Sequence, residues 1–102
     1  MIAVVSNEGG EARAAVADPA NLRQLQVEFR GVDDVTAAAA LSAAGLGTVD
    51  GDHVWLSAAA LKAAGDGSAE WAEQFDGMIA FAASKGWTSP DGTAVQAHIV
   101  RR

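Results

Sequence analysis

The chain opens on an unbroken apolar run, Met1 to Val5, which predicts a short strand buried on both faces. The turn-forming stretch Ser6-Asn7-Glu8-Gly9-Gly10 ends it, and the Ala-rich segment Glu11 to Val16 predicts a helix, broken or restarted at Asp18-Pro19. Leu25 to Arg30 alternates apolar and polar residues at period two. It predicts a strand with Leu25, Val27 and Phe29 on the core face. After Gly31, Asp33 or Asp34 caps a helix that runs to Ala44, and Gly45 and Gly47 stop it.

Thr48 to Leu56 places Asp50-Gly51 between β-prone residues, the signal of a tight hairpin. Ser57 then caps a short helix to Ala64. Ser68 caps a longer one over 69–85, on which Trp71, Phe75, Met78, Ile79 and Ala82 share a face flanked by Phe81. Gly86 suits the left-handed position just past a helix, with Trp87 packing back on it. Ser89-Pro90-Asp91-Gly92 is a turn, and Thr93 to Val100 a last strand with Val95, Ala97 and Ile99 inward. The order β-α-β-α-ββ-α-α-β predicts one α+β domain over residues 1–102. Its expected form is a two-layer sandwich, a small mixed or antiparallel sheet with helices on one face.

Charge narrows the function. Thirteen acidic residues against seven basic ones leave a net charge of -6, which argues against a nucleic-acid partner held by phosphate contacts. The one basic pair, Arg101-Arg102, reads as a solvated end. Without cysteine there is neither a disulfide framework nor a thiolate metal site, and no apolar run of about 18 residues is present to span a membrane. The start carries no basic leader, so the expected location is the cytoplasm. No cofactor or metal is expected. Asn7-Glu8-Gly9-Gly10 fits no phosphate-loop pattern. Asp50, Asp52, Asp33, Asp34 and Asp66 lack the ligand spacing of a calcium loop.

Strand parity isolates the one surface whose composition asks for an explanation. With Val54 and Leu56 facing the core, His53 and Trp55 face away; so do Gln96 and His98 on the last strand, and Gln26, Glu28 and Arg30 on the early one. Trp55, Gln96 and Arg30 are the candidate interface residues of that face. His53 or His98 is the candidate general base, with Glu28 to orient it. No HExxH spacing or GxSxG elbow accompanies the histidines.

The stretches Gly51 to Leu56, Phe75 to Trp87 and Asp91 to His98 resemble those of short uncharacterised actinobacterial proteins, a resemblance that implies no activity. The expectation from the residues is a small domain that self-associates, as a homo-oligomer such as a homodimer, or binds a protein partner through the sheet face around Trp55. The alternative is a small cofactor-independent enzyme with its histidine-based site on that face. A small-molecule ligand is compatible with the same surface.

Overall fold

The structure is a computed structural model that describes residues 1–102 apart from Arg23 and Asp66, with only the backbone described at Glu8. Asp66, weighed above as a cation ligand, therefore lies outside the described residues. The fold is α+β. A mixed sheet contains β1 (Ile2–Glu8), β2 (Glu11–Ala17), β3 (Gln26–Arg30), β4 (Gly47–Asp50), β5 (His53–Ser57) and β6 (Ala94–Arg101) in the order β2-β1-β3-β6-β5-β4. The helices are α1 (Asp34–Ala43), α2 (Ala58–Ala63) and α3 (Ala69–Ser84). Strand β3 lies parallel to both β1 and β6, while the β1–β2, β5–β6 and β4–β5 pairs are antiparallel. None of the described helices is long and apolar enough to cross a membrane.

The first third departs from the expectation. Glu11 to Ala17 is a strand, not a helix, and β1 runs on to Glu8. Gly9 and Gly10, both at positive φ (60° and 87°), form a two-residue loop that folds the chain back on itself. That backbone geometry matches the twist of a hairpin, and the seven-residue ladder it closes overrides the helix preference of alanine. Among the described residues no helix lies between Pro19 and β3, and Asp18 itself sits at φ 51°. Ala3 and Val5 of β1, like Met1 just before it, are buried while Ile2 and Val4 are only half-buried, so the strand is covered fully on one face, not on both.

The helix caps form as the sequence announces, whereas Leu25, expected on the core face of the strand, lies just before β3 and lines a cleft. The side chains of Asp33, Ser57 and Ser68 accept from the backbone N–H groups of Thr36, Ala60 and Trp71, capping α1, α2 and α3. At the end of α3, Trp87 N–H reaches the carbonyl of Ala82 and Gly86 N–H that of Ala83, with Gly86 at φ 77°, the paired bonds of a glycine helix stop. The β4–β5 hairpin forms one residue later than expected. Its loop is Gly51-Asp52 with only Gly51 at positive φ, which suits glycine at the first turn position.

By strand register Val27, Phe29, Val54, Leu56, Val95 and Ile99 share one face of the sheet, and they belong to the same buried cluster as Leu41, Leu61 and Phe75 of the helices. A flat six-stranded sheet would hold its outer strands about 24 Å apart. Helix α1, about 15 Å long, packs against both outer strands, β2 and β4, and against β1. The terminal arginines are not a free solvated end. Arg101 forks onto Asp34 (3.1 and 3.0 Å) and also reaches Asp52 (3.2 Å), tying β6 to the start of α1 and to the β4–β5 loop. The same contact holds the Asp34 carboxyl below the usual carboxylate range.

Candidate functional site

Two edges of one strand create the site. The N–H of Ile99 donates to the carbonyl of Asp52 (3.0 Å) and that of Ala58 to Thr93 (2.9 Å), which fixes the hydrogen-bonded positions of the β5–β6 ladder. His53–His98 and Trp55–Gln96 fall between them as successive non-hydrogen-bonded pairs, in which side chains approach most closely. The imidazoles accordingly meet edge to face, with ring centroids 5.6 Å apart.

On its other edge β6 changes partner. Strand β3 pairs with it only from His98 onward, whereas below that point Trp87 to Ser89 takes the place of a strand: Gln96 N–H donates to Trp87 (2.7 Å) and Ser89 N–H to Ala94 (2.9 Å). The gap between the start of β3 and Trp87 is occupied by a cleft of about 520 Å³. Its apolar wall comes from Leu22, Leu25, Met78, Phe81, Ala82, Trp87 and Val95; Gln24, His53, Gln96 and His98 supply its polar groups. Phe81 and Trp87 are 58% and 45% exposed, unusual for large apolar residues, and stand edge to face with centroids 6.1 Å apart. The ammonium of Lys85 lies 5.6 Å from the centre of the Phe81 ring.

The predicted site residues divide into three places. His53, His98 and Gln96 come together at the cleft. Trp55, half-buried beside Gln96 on the same sheet face, donates its indole N–H to Asp50 (3.2 Å) and does not line the cleft. Glu28 shares that face but is only 3% exposed, its two oxygens held by Arg30 (3.0 Å) and Arg102 (2.6 Å). Among the described residues, no hydrogen bond joins Glu28 to either imidazole, and no three histidine or acidic side chains converge as metal ligands.

Sequence reasoning did not find the apolar half of the site. Phe81 read as a flank of the core face and Trp87 as packing on its own helix, which it does through Phe81. The available signal was two large aromatics bracketing a helix stop, one of them off the core stripe. Leu22 and Gln24 carried no signal, because a loop position is brought to a cleft only by the strand that follows it. No family model matches the chain, and neither a curated protein nor a solved structure shows significant similarity to it.

Proposed function

We propose that the protein is a binding domain that holds a small, largely apolar molecule in the cleft between β3, β6 and Trp87. The observation that carries this reading is the composition of the cleft: an apolar wall of aliphatic and aromatic side chains with a few polar groups converging at one part of it, in a volume within the usual range for ligand sites. Binding is favoured over acid–base chemistry because Glu28, the carboxylate suited to orient an imidazole, is occupied by Arg30 and Arg102. The reading is tested by thermal shift with a panel of small apolar compounds on the parent and on Met78→Trp, which fills the cleft from its α3 wall. Compounds that raise the parent's melting temperature and leave the variant unmoved support it; equal shifts in both argue that binding lies elsewhere.

A second reading, association with a second copy or another protein through the sheet face around Trp55, is favoured by the half-exposed apolar ground beside it. Ile2, Val4, Trp55 and Val100 are all half-buried there, with no fully buried apolar residue among them.

A further inference from the structure

We infer that the ligand of the cleft carries a carboxylate on an apolar, preferably aromatic, body; the inference rests on the cleft being the binding site. Three of the four polar side chains there are unspent. Gln24 donates to Gln26 (2.9 Å), but among the described residues the side chains of His53, Gln96 and His98 make no hydrogen bond to the protein. All three are donors whatever the pH, since imidazole keeps at least one N–H and the glutamine amide two. An occupant without acceptors would strip water from these donors and return nothing. A carboxylate, with two oxygens and about four acceptor positions, can satisfy several donors at once.

Charge selects in the same direction. None of the described acidic residues lines the cleft, and the ammonium of Lys85 lies over the ring of Phe81 in its aromatic wall. An ammonium ligand would meet donors and a like charge; an anion meets donors and an opposite one. Phe81 and Trp87, set edge to face with Met78 and Leu25 beside them, offer the flat apolar contact that an aromatic body fills.

Calorimetric titration of the full chain with 2-naphthylacetate, its neutral analogue 2-naphthylethanol and its cationic analogue 2-naphthylethylamine tests the inference. The acid should bind about tenfold more tightly than the alcohol, and the amine more weakly than either. Gln96→Leu and His98→Leu should each bring the affinity of the acid to within about threefold of that of the alcohol for the same variant. Survival of alcohol binding in these variants also shows that they are folded. An alcohol that binds as tightly as the acid would overturn the carboxylate and leave the cleft reading standing. Failure of all three compounds to bind at millimolar concentration would overturn both.

Discussion

His53 and His98 face each other across the β5–β6 ladder as a non-hydrogen-bonded pair, rings edge to face at 5.6 Å. Because this contact depends on register, it reports directly on the site. Ring-proton cross-peaks between the two imidazoles should be visible by NMR. His98→Ala, at an exposed position, should cost less than about 1 kcal/mol, and a double-mutant cycle with His53→Ala should return a coupling of about 0.2–1 kcal/mol. Absent cross-peaks together with a null coupling would mean that the strands pair in another register.

The sheet face of each chemically notable residue was legible in the sequence, because period-two alternation in β3, β5 and β6 assigns it without knowledge of strand order. That His53 and His98 are neighbours was not legible. It follows from β6 lying between β3 and β5, and strand order is a property of the whole chain. The cleft was hidden for the same reason, since it exists only where β6 passes from Trp87 to β3. The error over 11–16 has a local cause. Alanine favours helix, but Gly9-Gly10 sets a two-residue hairpin, and pairing with β1 outweighs intrinsic preference.

Gly10→Ala separates those two accounts. At φ 87° an alanine is strained, so the substitution should destabilise the protein by about 1–2 kcal/mol in denaturant melts, although space is open around the position. A helix over 11–16 would tolerate the added methyl or gain from it. A neutral or stabilising result would therefore contradict the β1–β2 hairpin.

The turn before β6 carries a pH signature. Asp91 accepts from the hydroxyl of Ser89 (2.6 Å) and from both the N–H (3.0 Å) and hydroxyl (2.7 Å) of Thr93, and these bonds hold its carboxyl at about 2 in place of the usual 3.8. A carboxyl lowered on folding contributes stability that is present above its unfolded value and lost as the pH falls through its folded one. The melting temperature of Asp91→Asn should thus lie below the parent's at pH 7, with the gap closing between about pH 4 and pH 2. A gap of constant size across that window would show that the turn does not depend on the ionised carboxylate.

Association through the sheet face makes a separate forecast. If two copies meet around Trp55, Trp55→Lys brings two like charges near the two-fold axis and should convert a dimer to a folded monomer. Light scattering on parent and variant reads this. A parent already monomeric at high micromolar concentration would remove self-association from the account.

The most direct test of the cleft as the binding site is an isotope-filtered NOE experiment on the protein saturated with 2-naphthylacetate. The account predicts contacts from the naphthyl protons to the side chains of Leu25, Met78, Phe81 and Trp87, and from the acid's methylene protons to the imidazole of His98. Contacts confined to Trp55, Val4 and Val100, or to the far side of α3 around Ile79 and Ala83, would contradict it.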